Sequence, residues 1–147
     1  MNRLLTLVVF ATLATMLTAQ TPVTAPSAEK LPSKVFDWEK LPVIPTPKGV
    51  RRDVFDGPTS TLDKAHCHIT TLNPGENSGE PRKHLQEECI IIKEGLVEAT
   101  FDGKSQTVGP GSVIFFAANA VTRLRNAGTT PATYIVFYYY TPLTPKS

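Results

Sequence analysis

The residues with the clearest chemical potential lie in the segment Pro81 to Gly95, PRKHLQEECIIIKEG. His84 is followed four residues later by Glu88, and both side chains can donate lone pairs to a divalent transition metal. Two such side chains are only half of the ligand set that a protein metal site normally needs. The segment therefore raises the question of whether a metal is still bound or only its scaffold remains.

Arg82, two residues before His84, argues against a tight metal site. Arginine stays protonated in proteins, so it offers no lone pair and repels a cation. Its planar fork of donors suits a carboxylate or a phosphate instead. The alternative is an internal pair between Arg82 and Glu88 that fills the space, since a cation in a narrow interior needs a partner.

Three further side chains could complete a metal site. His66 and His68 alternate on one face of the preceding strand, and Gln86 comes two residues after His84. If that face points inward, these side chains could reach His84 and Glu88. Single strand histidines are more often packed or surface residues, so the interpretation favours a lost site over a rescued one.

Short strands separated by turns must position these residues. From Gly49 onward, turn signals such as Asn73-Pro74-Gly75 and Asp102-Gly103 separate apolar stretches. The predicted strands read HCHITTL, ECIIIK, LVEATF, SQTV, SVIFF, VTRLRN and ATYIVFYYY. Strands at this close spacing, without helical periodicity or a fixed repeat, predict an all-β sandwich or barrel.

The strand sequences also predict which faces are covered. Because successive strand residues alternate, Glu88 is expected to point inward and Glu87 outward. The stretches CIIIK and VIFF are apolar on both faces, and the last strand is aromatic on both. A sheet with one solvated face would alternate instead. We therefore expect an N-terminal arm or a second subunit to cover the outer face, and we predict a homodimer.

The spacing of these residues resembles the motifs of the cupin superfamily, whose members are small jelly-roll β-barrels. The first cupin motif is G-x5-H-x-H-x3,4-E-x6-G, and His84, Glu88 and Gly95 match its second half. The second is G-x5-P-x-G-x2-H-x3-N, and Gly111 and Asn126 frame a segment of the same length. The resemblance covers about residues 54–141 and implies an all-β, cupin-type jelly-roll β-barrel.

The departures from the cupin pattern fall on the metal ligands. In cupins, two histidines and the glutamate of the first motif and the histidine of the second usually bind the metal. Here Arg82 and Thr122 stand at two of the histidine positions. Ala117 and Asn119 replace the second-motif proline and glycine, and Gly75 is one residue too far from Arg82. The resemblance thus implies a scaffold with a degenerate metal site.

We therefore expect a cupin that binds a small, anionic molecule in its barrel without a tightly held metal. The candidate ligand-binding residues are Arg82, His84, Glu88 and Thr122. No cofactor is expected; if there is one, it would be a single divalent transition metal on His84 and Glu88. The resemblance would then imply a dioxygenase, an isomerase or a decarboxylase. A structural module without an active site is the third alternative.

The N-terminus has the order of a secretory signal peptide. Arg3 precedes an uncharged apolar run, Leu4 to Thr18, and the small residue Ala19 precedes Gln20. The run is shorter than the roughly 20 residues that a spanning helix needs, although a short membrane anchor is the alternative. We predict cleavage after Ala19, export to the periplasm or beyond, and no stable membrane span in the mature chain.

A proline-rich segment separates this signal from the predicted barrel. Prolines punctuate residues 20–48, which predicts a linker followed by an extended arm. The apolar stretch VFDWEKL within it is unusual for a disordered linker, and we expect Trp38 to anchor an arm along the domain. The barrel is then assigned to residues 49–142 and a tail to residues 143–147.

Composition excludes some partner classes. The net charge is +2, and no basic run indicates a nucleic-acid partner. The expected partner is a small molecule. Cys67 and Cys89 could form a disulfide in an exported protein, but the interpretation favours two small apolar side chains in strands.

Overall fold

The computed structural model describes residues 28–145. The predicted signal peptide and its cleavage site lie outside this range. Within it, no helix is long and apolar enough to cross a membrane. One short 3-10 helix, Trp38–Lys40, begins after Asp37, whose side chain accepts a hydrogen bond from the backbone of Glu39.

Ten strands form the rest of the regular structure. They are β1 (Ile44–Thr46), β2 (Gly49–Gly57), β3 (Lys64–Leu72), β4 (Arg82–Lys83), β5 (Glu87–Glu94), β6 (Val97–Phe101), β7 (Lys104–Val108), β8 (Val113–Phe116), β9 (Val121–Asn126) and β10 (Ala132–Tyr140). All seven strands predicted from the sequence are present, with boundaries shifted by at most two residues. β1 lies within the segment predicted as an arm, and β2 and the two-residue β4 were not predicted as separate strands.

The strands form two antiparallel sheets packed face to face. The six-stranded sheet has the order β1-β2-β3-β10-β5-β8, and the four-stranded sheet has the order β4-β9-β6-β7. The buried apolar residues include Ile90, Val97, Leu124 and Val136, drawn from both sheets. The predicted all-β jelly-roll architecture is confirmed.

The alternation along β5 separates an inner from an outer face. Glu88, Ile90 and Ile92 are buried, whereas Glu87 and Ile91 are partly exposed. The predicted inward position of Glu88 and outward position of Glu87 are therefore confirmed. β5 is apolar at its outward positions as well, so the sheet exposes an apolar outer surface.

Two residues with positive φ, Gly95 and Asn119, form turns at the ends of strands. Gly95 has φ of 76°, and a Cβ there would lie 2.7 Å from the Ala132 Cα, so only glycine fits between β5 and β10. Asn119, which replaces the motif glycine, keeps a left-handed φ of 65°. Its backbone N–H donates to the His84 carbonyl at 2.7 Å, which ties the turn before β9 to the candidate site.

Asn126 has a structural role at the end of β9. Its side chain is fully buried and donates to the carbonyls of Leu72 and Thr130 at 2.9 and 2.8 Å. Its Oδ1 accepts from the backbone of Gly128 at 2.9 Å. These bonds satisfy the backbone of the turn between β9 and β10, which a buried chain segment requires.

The N-terminal segment covers part of the outer face of the six-stranded sheet. Phe36 packs on Phe55, and Phe55 packs on Phe137, with ring centroids 5.7 and 6.4 Å apart. Trp38 lies between two cations, with Arg52 at 5.1 Å and Lys93 at 4.4 Å from its ring. These contacts lie over β2, β10 and β5.

The outer face near β8 lacks this cover. Val113 and Phe115 are 64% and 63% exposed, and Ile91 is 36% exposed. β8 is the last strand at one edge of the six-stranded sheet, so it also has an unpaired backbone edge. We name this surface, comprising Ile91, Val113, Phe115 and Tyr139, the β8 patch.

The two cysteines share this outer face but do not meet. Cys67 on β3 and Cys89 on β5 both pair with Phe137 of the intervening strand β10. Two inter-strand spacings place their Cα atoms about 9–10 Å apart, beyond the reach of a disulfide. Both thiols are free, as the favoured interpretation expected, and burial raises the pKa of Cys67 to about 11.

Candidate functional site

A cavity of about 500 Å³ opens between the two sheets. It is lined by all four predicted binding residues, Arg82, His84, Glu88 and Thr122. The pairing of β4 with β9 places Arg82 opposite Thr122, and β5 supplies Glu88 from the other sheet. Further lining side chains that bear on its chemistry are Lys48, Arg51, His68, Gln86, Arg123, Tyr134 and Tyr138.

Arg82 and His84 form the mouth of the cavity. The Arg82 Nε–H donates to His84 Nε2 at 3.2 Å. Because a guanidinium is only a donor, His84 Nε2 accepts and the neutral ring carries its proton on Nδ1. His84 Nδ1 lies 3.4 Å from the Gln86 amide nitrogen, Nε2, which is near the upper limit of hydrogen-bond distance. Burial and the neighbouring Arg82 lower the pKa of His84.

Glu88 is the buried carboxyl group of the cavity. Only 6% of the residue is exposed, and this burial raises its pKa to about 7. A hydrogen bond from Tyr138 and the charge of Arg82 act in the opposite direction, but they offset only part of the cost of burial. Glu88 therefore exchanges between its neutral and charged forms near neutral pH.

The predicted alternative of an Arg82–Glu88 pair is not seen. Arg82 is engaged with His84, and the structure has no ion pair between Arg82 and Glu88 within residues 28–145. Arg82 itself is exposed at the mouth, whereas Glu88 is deep in the cavity. The space between the sheets thus stays open.

A second group of polar residues on β2 and β3 reaches the cavity through Arg51 and His68. His66 and His68, on β3, are joined by a hydrogen bond of 3.0 Å between His66 Nε2 and His68 Nδ1. Asp56 on β2 lies 3.0 Å from His66 Nδ1, and Arg51 donates to His66 Nε2 at 3.3 Å. Burial and the charge of Arg51 lower the pKa of His68 to about 3.

Tyr138 lies between the Arg82–His84 pair and the His66–His68 pair. Its ring stacks on His66 and on His84, with centroids 5.4 Å apart in both pairs. Burial and the Glu88 carboxylate raise the pKa of its hydroxyl. Tyr134 and Tyr138 were not among the site residues predicted from the sequence. The period of two in ATYIVFYYY could have placed both on the face of Val136.

This donor set suits a transition metal poorly. Within the described part of the chain, no group of three His, Cys, Asp or Glu side chains is arranged to hold a metal ion. The lone pair on His84 Nε2, which a metal would need, already accepts a hydrogen bond from Arg82. Of the proposed additional ligands, His68 and Gln86 line the cavity, whereas His66 is outside the lining.

The charges of the lining are unequal. Lys48, Arg51, Arg82 and Arg123 contribute cations, whereas only two lining residues, Glu80 and Glu88, carry carboxyl groups. Since Glu88 has a pKa of about 7, its charge is partly removed at neutral pH. The cavity is therefore electropositive, and it favours an anion over a cation.

Comparison with known proteins agrees with this fold. The cupin-domain family model matches residues 68–138. An RmlC-like cupin from Shewanella frigidimarina superposes with a TM-score of 0.60 at 15% identity, covering 76% of this chain and 95% of its own. A polyketide cyclase, RemF from Streptomyces resistomycificus, gives a TM-score of 0.60 at 17% identity and covers 73% and 79%.

A third similar structure is a cupin-superfamily sugar phosphate isomerase from Silicibacter pomeroyi, with a TM-score of 0.59 at 21% identity, covering 74% of this chain and 77% of its own. At these identities the likeness concerns the fold alone. No curated protein matches the chain. The matched family model and the two packed sheets lead to one conclusion: the chain belongs to the cupin superfamily.

Proposed function

We propose that this cupin binds a small anionic molecule in its barrel and does so without a tightly held metal. The observation that carries the proposal is the position of Arg82, which lies at the mouth of the cavity with a neutral histidine, and not a carboxylate, as its hydrogen-bond partner. A guanidinium in this setting keeps donors available for a carboxylate or a phosphate. Thr122 and Tyr138 add hydroxyl groups to the same cavity.

The test is calorimetric titration with inorganic phosphate, pyruvate and glucose 6-phosphate. The last probe is included because one similar structure is described as a sugar phosphate isomerase. Replacing Arg82→Gln should weaken binding at least about tenfold, since a charge-assisted hydrogen bond contributes about 1.5–3 kcal/mol. Lys83→Gln is the matched control, because Lys83 follows Arg82 in β4 but does not line the cavity.

Equal losses for the two variants would indicate a general charge effect and contradict a specific role for Arg82. No binding of any of the three anions would favour the structural module over the binding protein.

A metal-dependent enzyme that uses His84 and Glu88 is the alternative activity. Arg82 and Thr122 occupy the positions where cupins place two of the metal-binding histidines. The double change Arg82→His with Thr122→His should therefore create a four-ligand set and remove the repelling charge. Elemental analysis after dialysis should find metal in the double variant and little in the parent. Near one equivalent in the parent would favour the enzyme.

We also propose that two copies associate through the β8 patch. Its four members carry no charge, and Val113 and Phe115 are more than half exposed beside an unpaired strand edge. A surface of this kind suits an identical surface related by a two-fold axis. Light scattering at micromolar concentration should give twice the monomer mass; a monomer would contradict the proposal.

Export is the last part of the proposal, and it rests on the N-terminal sequence. Mass spectrometry of protein recovered from the periplasm should find Gln20 as the new N-terminus. Recovery of the intact chain with Met1 from a cytosolic pool would contradict it.

A further inference from the structure

A row of hydrogen-bonded side chains leads from the surface to the cavity. Asp56 Oδ1 lies 3.0 Å from His66 Nδ1, and His66 Nε2 lies 3.0 Å from His68 Nδ1. The side chains of Asp56 and His66 are 54% and 17% exposed, and His68 is 6% exposed. His68 lines the cavity. The row therefore joins solvent to the cavity through two imidazole rings.

The neighbours of His66 determine where the protons of both rings lie. Asp56 accepts from His66 Nδ1–H, and the Arg51 guanidinium can only donate, so His66 Nε2 must accept. His68 Nδ1 shares the same acceptor, so it carries a proton and donates. Both rings are then neutral with the proton on Nδ1. His68 Nε2 is left with a lone pair toward the cavity.

We propose that His68 is the general base and acid of this cavity and that it exchanges its proton with solvent through His66 and Asp56. The ligand class that this chemistry fits is a carboxylate with a C–H bond next to a carbonyl group, such as a 2-oxo acid. This inference rests on the proposed binding of an anion.

The other groups of the cavity suit proton transfer better than covalent catalysis. Both cysteines are on the outer face of the sheet and do not line the cavity. Tyr134 and Tyr138 bring hydroxyl groups to a carbonyl oxygen, and Arg82 can hold the carboxylate. Burial disfavours the charged form of His68, so the resting ring is neutral and its Nε2 can accept a proton. Loss of the Nδ1 proton to His66 as Nε2 is protonated avoids the imidazolium form.

The proton and electron balance of the transfer is complete. The C–H bond breaks, its electron pair moves to the carbonyl oxygen as an enolate, and the proton joins His68 Nε2. The proton on His68 Nδ1 moves to His66 Nε2, and the proton on His66 Nδ1 moves to Asp56. Asp56 releases it to water. The reverse sequence returns a solvent proton to the same carbon, and no oxidant or reductant is needed.

The first test needs no ligand. Nitrogen NMR of protein with 15N-labelled histidine should show His66 and His68 as neutral rings protonated at Nδ1 at pH 7. Asp56→Asn should disturb the His66 signals most. A proton on Nε2 of either ring in the parent protein would overturn the proposal.

The second test measures exchange of carbon-bound hydrogen. Pyruvate and 2-oxobutyrate are incubated with the protein in D2O, and loss of their C3 proton signals is followed by NMR. His68→Gln should reduce the enzymatic exchange rate at least about 100-fold, the lower range for general acid–base catalysis. His66→Gln and Asp56→Asn should reduce it less, with parallel changes in kcat and small changes in KM. Glu87→Gln, on the outer face, is the control.

The outcomes separate the two proposals. A 2-oxo acid that binds by calorimetry but shows no exchange above the background overturns the acid–base role and leaves anion binding intact. Exchange that persists in His68→Gln also overturns it. If neither 2-oxo acid nor phosphate binds, the proposed binding function fails, and the NMR test of the two tautomers still decides the arrangement of the relay.

Discussion

The inner and outer faces of the six-stranded sheet are built from the same strands but have opposite chemistry. On β3, His66 and His68 point inward, whereas Cys67 and Ile69 point outward. On β10, Tyr138 faces the cavity, and its neighbour Phe137 packs on Phe55 of the outer face. Because side chains alternate along a strand, one backbone can position a polar site and an apolar surface independently.

The two faces also differ in which of their parts are covered by other side chains of the protein. Ile90 and Ile92 of the inner face are packed into the core, whereas His68 and Glu88 of the same face line a cavity of about 500 Å³. The outer face is covered by Phe36 and Trp38 at one end and left exposed at the β8 patch. Each face thus has one part that is packed by the chain itself and one part that stays open. We propose a small anion as the partner of the inner face and a second copy as the partner of the outer face.

The largest expected effect is the difference in free energy of unfolding between a substitution on the inner face and one on the outer face. Ile90 is fully buried between the sheets, and its neighbour Ile91 is 36% exposed on the outer face. Ile90→Ala should lower the free energy of unfolding by about 2–5 kcal/mol, because it removes buried methyl groups and leaves a cavity. Ile91→Ala is the matched change and should cost under about 1 kcal/mol. Urea unfolding measures both, and equal losses would show that the outer face is as closely packed as the core.

The next expected effect is a dependence of stability on pH that only the inner face has. The pKa of Glu88 is about 7 in the folded protein and 4.5 in an ordinary setting, so the folded state binds more protons between these values. The free energy of unfolding should therefore fall as the pH rises through this window. Relative to Glu88→Gln, the parent should lose on the order of 3 kcal/mol by pH 8, as an upper limit.

Glu87→Gln is the control for this experiment, because Glu87 precedes Glu88 on the outward side of the same strand. Urea midpoints measured from pH 4.5 to pH 8 should show the same pH dependence for Glu87→Gln and the parent. Parallel curves for Glu88→Gln and the parent would contradict the raised pKa of Glu88.

A change on the exposed part of the outer face should affect association and leave the fold intact. Phe115 is 63% exposed in the β8 patch. Phe115→Lys should raise the dimer dissociation constant at least about 30-fold, which corresponds to a loss of about 2 kcal/mol, since a central aromatic residue often dominates an interface. Sedimentation at several concentrations measures it. Lys104→Ala, on exposed β7 of the other sheet, should have no effect.

The smallest expected effect concerns the covered part of the outer face. Trp38 contacts Arg52 and Lys93 through its ring, and each such contact contributes about 0.5–1 kcal/mol at an exposed site. Trp38→Leu should therefore lower the free energy of unfolding by about 1 kcal/mol while anion binding stays unchanged. A larger loss in binding than in stability would indicate that the N-terminal segment reaches the cavity.

Much of the inner face could be predicted from residues that are close in the sequence. The spacing of His84, Glu88 and Gly95 indicated the cupin scaffold, and the alternation along β5 placed Glu88 inward. Turn residues such as Asp102-Gly103 located the strand ends. These features are local: side-chain direction follows a period of two, and turn conformation depends on a few adjacent residues, so no knowledge of distant pairing is needed.

The hydrogen-bonded row Asp56–His66–His68 and the separation of the cysteines depend on pairing between distant strands. Asp56 meets His66 only because β2 lies beside β3 with these residues in register. Cys67 and Cys89 stay apart because β10, the last strand of the chain, lies between β3 and β5. Strand order in a sheet is decided by the combined burial of all the strands, and a short stretch of sequence carries little of that information.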